Sequence, residues 1–226
     1  MPLGSRPSCS ATPSYGCSGE RGVGKNPQGD GLFAIEETSG EELCTKRLRL
    51  RPPRRSDLGK LDSAIRETLP DLIRWLPWAR AGHSRQETRR YIRGARVLRS
   101  QRRAFEFLIE DASTEDLLGI TSLHRIDWSR RCAGLGYWVR RSSWGGGTAT
   151  EAALCVIDYA FRDLFLNRLE MHVAPENLAS HRVAEKLGFQ REGIARQAEL
   201  ISDAYHDHVQ YSLLRSDVIK PAGGFQ

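Results

Sequence analysis

Trp144-Gly145-Gly146-Gly147-Thr148-Ala149-Thr150-Glu151 decides how this chain is read. It follows a strand-like run, Leu135-Gly136-Tyr137-Trp138-Val139. It precedes apolar residues at helical spacing: Ala149, Ala152, Ala153, Val156, Ile157, Ala160, Phe161 and Leu164. A strand, three glycines and a helix N-terminus together make a cradle for an anion. Glycines admit a close backbone approach. The first N–H groups of the helix lack internal partners and carry the positive end of its dipole. A phosphate or pyrophosphate answers both.

The loop is neither of the two common nucleotide loops. Ala149-Thr150 stand where Gly-x-Gly-x-x-Gly needs its last glycine, and no Gly-Lys-Ser/Thr follows. Gly19-Glu20-Arg21-Gly22-Val23-Gly24-Lys25 comes near the second motif. Asn26 replaces the magnesium-binding hydroxyl there, and no apolar strand precedes it. That segment reads as part of a tail.

A second signature lies downstream. Ala174-Pro175-Glu176-Asn177-Leu178-Ala179-Ser180 runs into His181-Arg182-Val183-Ala184-Glu185-Lys186-Leu187-Gly188-Phe189. Asn177 suits a helix start, Val183, Ala184 and Leu187 share an apolar face, and Gly188 suits a helix stop. Together the two signatures resemble the GNAT acyl-CoA-dependent N-acetyltransferases. Trp144-Gly145-Gly146-Gly147-Thr148-Ala149 matches the end of that family's pyrophosphate loop, with Trp144 in place of Gln/Arg.

The resemblance narrows to the RimJ/RimL branch, whose members acetylate protein N-termini. Thr45-Lys46-Arg47-Leu48-Arg49-Leu50-Arg51-Pro52, Trp75-Leu76-Pro77-Trp78, Tyr137-Trp138-Val139 and Glu192-Gly193 resemble it. So does the RimL-type ending Gln197-Ala198-Glu199-Leu200-Ile201-Ser202-Asp203-Ala204-Tyr205-His206-Asp207. The likeness runs over about residues 45–216 and implies an α+β GNAT fold. Such a fold has a mixed, mostly antiparallel sheet flanked by helices, with strands splayed at the acyl-CoA site.

It also implies residue roles. Glu199 matches the general base and Ser180 the acid that meets the departing sulfur. Asn177 matches the side chain bonding the pantetheine arm, and Val139 the splayed strand position beside the thioester. Trp144, Gly145, Gly146, Gly147, Thr148 and Ala149 match the acetyl-CoA pyrophosphate loop. The implied reaction is direct transfer of acetyl from acetyl-CoA to a primary amine, with a protein N-terminal α-amine as the favoured acceptor. A small-molecule amine, such as an antibiotic or aminoacyl-nucleotide, is the alternative. A homodimer is implied as well. One departure bears on the acceptor: Gly134 stands where many relatives carry Glu.

Composition agrees. The 226 residues are 39% hydrophobic, enough for one domain of roughly 170–180 residues with a core. Residues 1–44 are rich in Gly, Ser and Pro without periodicity, which predicts a disordered tail. Residues 45–216 are the expected acetyltransferase domain, and 217–226 a short C-terminal tail. No run of 18 apolar residues predicts a membrane span, and no apolar signal region opens the chain. Five cysteines without a Cys-x-x-Cys pair fit a reduced, cytoplasmic protein.

Lys and Arg number 34 against 28 Asp and Glu, a net charge of +6. Arg85, Arg89, Arg90, Arg93, Arg96, Arg99, Arg102 and Arg103 cluster in one predicted helix and just beyond it. With Tyr91 the one aromatic residue among them, this reads as a solvated helix face rather than a nucleic-acid surface. An RNA- or ribosome-associated binding protein using that face is the reading from a different class. Ser84-x-x-Glu87 is a capping box for the helix. His206-x-His208 lacks a third ligand, so no metal is expected. His124 reads as a structural strand histidine, and Trp75, Trp78 and Trp138 as core.

Overall fold

The computed structural model describes residues 37–38, 42–201 and 203–218. Nine strands form one sheet among these residues, in the order β1-β2-β3-β4-β5-β6-β7-β9-β8. They are β1 (Glu37–Thr38), β2 (Glu42–Cys44), β3 (Leu48–Arg51), β4 (Phe105–Asp111), β5 (Leu117–Asp127), β6 (Cys132–Val139), β7 (Arg168–Val173), β8 (Gln190–Ile201) and β9 (Ala204–Leu214). The helices are α1 (Leu58–Leu72), α2 (Arg85–Ser100), α3 (Thr148–Arg162), α4 (Leu178–Lys186) and the short α5 (Arg215–Val218). Every neighbouring pair is antiparallel except β6 with β7.

Alternation along the strands sends side chains to two faces. One face carries Phe107, Leu123, Leu135, Leu169 and Leu213, which meet Ala153, Val156, Ile157 and Phe161 of α3 in the main core. Burial of each large apolar side chain there contributes about 1.5–3 kcal/mol. The other face carries Leu108, Ile120 and Trp138, covered by Leu61, Ile65 and Leu72 of α1 and Ile92 of α2.

The helix signals read from the sequence hold. Ser84 caps α2, accepting from the Glu87 N–H, while the Glu87 carboxylate accepts from the Ser84 N–H at 2.7 Å. Arg85, Arg89, Arg90, Arg93 and Arg96 are exposed, as a solvated face requires. Arg99 turns inward, with its guanidinium 5.1 Å from the Phe105 ring and 5.0 Å from that of Phe107. Trp138 is core, but Trp78 is 44% exposed and meets the His83 ring edge-on. It follows the end of α1 in an open turn, where no helix covers it.

Two boundaries differ from the expectation. Of the predicted tail, residues 1–36 and 39–41 lie outside the described residues, and with them the glycine-rich near miss at 19–25. Glu42–Cys44 are not tail. They pair antiparallel with β3, Leu43 opposite Leu50 and Cys44 opposite Arg49. At the other end α5 reaches Val218, and the Asp217 carboxylate accepts the Leu214 N–H at 2.9 Å.

A buried ionic cluster fixes β3 to its neighbours. Arg51 donates to Asp57 twice at 2.8 Å and to Glu110 at 3.0 Å, and Arg49 donates to the same carboxylate at 2.7 Å. Glu110 is 1% exposed. Burial opposes the charge of Asp57, but the bonds from Arg51 and the Arg54 N–H overcome it and hold its pKa low. Removing one partner of such a pair costs about 3–5 kcal/mol.

Candidate active site

The site begins where β6 and β7 part. These parallel strands pair only through Cys132–Gly134 with Arg168–Glu170. Beyond that, β6 runs on to Val139 and β7 to Val173, each without the other. On the far side β6 stays paired with β5, and Arg140 N–H donates to Leu118 O at 2.6 Å. Alternate residues of an antiparallel strand turn their N–H and C=O away from the partner. In this register Tyr137 and Val139 do so, and their backbone groups face the gap. One of these groups is taken: the Val139 carbonyl accepts the Trp144 indole N–H at 2.8 Å.

The glycine loop follows directly. Gly145 (φ 81°) and Gly147 (φ 78°) adopt left-handed backbone that other residues enter only with strain. Gly147 caps α3 without a side chain. The Glu151 N–H donates to Gly147 O at 3.0 Å, so the N–H groups of Thr148, Ala149 and Thr150 precede the first helical bond.

Both ends of the loop are pinned. Upstream, the Glu67 carboxylate accepts from Arg140 and, at 2.9 Å, from the Ser142 N–H. Downstream, Arg47 donates to Glu151 at 2.8 Å and to Gly146 O at 3.1 Å, and Thr45 donates to Glu151. The Arg47 side chain remains 55% exposed, a cation at the rim of the loop.

On the α3 side of the gap stands the start of α4. Asn177 Oδ1 accepts the Ser180 N–H at 3.1 Å, which leaves its amide NH2 to donate elsewhere. Ser180 faces Tyr137 of β6. Burial pushes the Tyr137 hydroxyl up to about 12, and Ser180 is near enough to pull it partly back. The two hydroxyls nevertheless stop short of bonding geometry, and Tyr137 Oη has no hydrogen-bond partner among the described residues.

The opposite face of the sheet carries the titratable groups. β8 bulges between Ala195 and Glu199, and Asp207 holds the bulge by accepting the Gln197 N–H at 2.8 Å. Gln197 is left-handed there (φ 50°). Glu199 then pairs with His206, and its charge acts on both His172 and His208. The His172 and His208 rings lie 6.3 Å apart, and Arg125 Nη2 approaches His172 Nδ1 at 3.0 Å. Burial lowers the pKa of both rings, with Arg125 adding to it against the pull of Glu199. His124 is held lowest, at about 4, by burial first and then by Arg125 and His172.

The loop, Asn177, Ser180 and Val139 thus border one gap, while Glu199 lies in the histidine cluster on the other face. Gly134 has a steric reason to be glycine. A Cβ there would lie 2.4 Å from His124 Cε1, closer than atoms can approach. Sequence reasoning gave no site role to Arg47, Tyr137, Arg125, His172 or His208: Arg47 and Tyr137 stand in stretches that carry the family likeness and His208 in the His206-x-His208 pair, but only the fold sets Arg47 at the loop and the histidines beside one another. No group of residues suited to a metal ion occurs among the described residues. None of the described helices is long and apolar enough to cross a membrane.

Comparison with known proteins bears on this geometry. The acetyltransferase (GNAT) domain family matches residues 47–190. "Probable N-acetyltransferase YjcK" of Bacillus subtilis (strain 168) is 41% identical over 114 residues, 50% of this chain and 63% of its own length. The chain therefore spans under two thirds of that relative. The ribosomal-protein-serine acetyltransferase of Escherichia coli (strain K12) is 31% identical over 132 residues, 58% of this chain and 73% of its own. Among solved structures, a RimL ribosomal L7/L12 alpha-N-protein acetyltransferase in complex with coenzyme A superposes with a TM-score of 0.71 at 26% identity, covering 75% of this chain and 95% of its own. The parted parallel strands, the glycine loop between strand and helix, and these matches agree: the chain belongs to the GNAT acetyltransferase family.

Proposed function

We propose that this protein transfers acetyl from acetyl-CoA directly to a primary amine, and that its acceptor is a protein N-terminal α-amine. One observation carries the reading. The gap between β6 and β7, edged by the outward-turned backbone of Tyr137 and the Val139 N–H, leads straight into the glycine loop. The loop N–H groups of Gly145 through Ala149, with Trp144 at its stem, suit the pyrophosphate of acetyl-CoA. The Asn177 amide suits the pantetheine arm, and the strand edge at Val139 suits the thioester.

The chemistry then divides between the two faces. The amine nitrogen bonds to the thioester carbon, a backbone N–H of the β6 edge steadies the carbonyl oxygen, and the C–S bond breaks. Glu199 accepts the proton lost by the amine. Ser180 gives its proton to the departing thiolate.

The ribosomal-protein acceptors named for two of the relatives support an N-terminal amine. A homodimer and a cytoplasmic location complete the reading. The test is a screen with acetyl-CoA and free-thiol detection, using peptides with varied N-termini, aminoglycosides and nucleoside antibiotics. Turnover of peptides alone supports the reading. Turnover of the small amines alone replaces the acceptor, and no turnover of any amine rejects the function.

A further inference from the structure

Gly134 and Gly136 stand at alternate positions of β6, on the sheet face away from α3 and α4. The His124 ring lies across both. A Cβ on Gly134 would meet its Cε1 at 2.4 Å and Nδ1 at 2.7 Å, and a Cβ on Gly136 would meet its Nε2 at 3.2 Å. The two glycines form a shelf that the imidazole fills, and a side chain at 134 would expel the ring. The shelf has a defined place. Gly134 is the last β6 residue paired with β7, so His124 sits where the strands begin to part. Neither of its ring nitrogens makes a hydrogen bond among the described residues, whereas His83, His172 and His181 all have polar partners.

We propose that His124 is an acceptor-binding residue: from the glycine shelf its imidazole accepts a hydrogen bond from the amine that attacks the thioester and fixes its line of approach. This rests on the acetyltransferase reading and deepens it. A neutral amine carries two N–H bonds, and an ammonium three. One proton goes to Glu199 and another N–H is held by His124. The ring is neutral near pH 7, because its pKa is held at about 4 by burial, Arg125 and His172. It therefore offers a lone pair and does not repel an incoming ammonium. No bond forms or breaks at His124 itself, so its contribution is the placement of the amine.

The experiment compares wild type with His124→Ala, His124→Asn, Gly134→Ala and the double variant His124→Ala/Gly134→Ala. The probes are acetyl-CoA and a peptide that wild type acetylates. His124→Ala is expected to lower kcat/KM for the peptide about ten-fold, the value of one lost hydrogen bond near 1.4 kcal/mol, mainly through KM. Acetyl-CoA affinity by calorimetry should stay unchanged. His124→Asn, which still offers an acceptor atom, should recover part of the loss. Gly134→Ala should match His124→Ala by displacing the ring, and the double variant should be no worse than either single. An unaltered kcat/KM in His124→Ala, in a protein that melts like wild type, overturns the proposal alone. Strictly additive losses in the double variant also overturn it, since they would mean independent packing effects. Failure of wild type to acetylate any amine overturns the acetyltransferase reading, and this proposal with it.

Discussion

The glycine loop and the histidine cluster lie on two sides of one gap and are built on opposite plans. The loop is a backbone site. Its donors are main-chain N–H groups, its shape depends on two left-handed glycines, and its residues are consecutive. The cluster is a side-chain site. Its members come from β5, β7, β8 and β9, and their protonation is set by burial and by Arg125. A backbone site binds a group common to every turnover, such as a pyrophosphate. A side-chain site can be retuned one residue at a time, which suits the half that must recognise the acceptor.

Substitutions should separate the two plans. The largest effect is expected from Gly147→Asp. It forces a branched carboxylate into a left-handed position and sets a negative charge against the phosphates. Acetyl-CoA affinity by calorimetry should fall at least about a hundred-fold, the combined scale of backbone strain and repulsion. Unchanged affinity would break the backbone half of the comparison.

Glu199→Gln should leave that affinity intact and lower kcat by roughly 10²–10³-fold, the usual worth of a general base. Part of the loss should return at higher pH, where more of the amine is already neutral. Wild-type turnover would move the base elsewhere in the cluster. Ser180→Ala should slow the reaction by about a hundred-fold through the leaving thiol, the low end of what a general acid contributes, without that recovery. Identical pH profiles in the two variants would mean that the faces do not divide the chemistry.

A smaller effect concerns stability. His124 falls from 6.5 to about 4 on folding, so below pH 6.5 the unfolded chain binds the proton more readily. Its contribution is complete above 6.5 and is lost as pH falls toward 4. Glu106 has the opposite sign. Burial raises it from 4.5 to about 7 against the pull of its bond from Tyr91, so its contribution is complete below 4.5 and lost as pH rises through 7. The wild-type slope between pH 4 and 7 is the balance of these, with His172 and His208, also lowered by burial, on the side of His124. His124→Asn should tilt the balance toward Glu106, so that by urea midpoint the variant loses less stability than wild type as pH falls from 6.5 toward 4. Equal pH slopes in wild type and variant would mean that His124 is not held neutral. The smallest effect is expected from removing residues 1–36, whose composition supports no core. Melting temperature and turnover should be unchanged, and a fall of several degrees would show that they dock.

Legibility in the sequence followed the same division. The loop, the Asn177 start of α4 and the Ser84 capping box were readable because each is local: a few consecutive residues set φ, ψ and the first hydrogen bonds. The splay was expected at Val139 through the family likeness, and register supplied the reason, since it turns the backbone of Tyr137 and Val139 into the gap. The histidine cluster was not readable. His124 and His172 are separated by 48 positions, and nothing in either neighbourhood announces the other. Gly134 looked like a missing carboxylate, and only the ring across it explains the glycine. Glu42–Cys44 were misread as tail because three residues are too few to display an alternation, and pairing with β3 alone makes them a strand.

The strand order also has a temporal meaning. From β1 to β7 each strand neighbours the one made just before it, so the sheet can extend in the order of synthesis. The last step breaks that order, because β9 lies between β7 and β8. The edge of β7 must wait for about forty further residues, on the order of 2–8 s at translation rates of roughly 5–20 residues per second. His208 arrives with the last strand and Glu199 with the one it pairs to. On the proposed assignment a nascent chain thus holds a finished glycine loop before it holds Glu199, so that cofactor binding would come first and catalysis only with the closing residues.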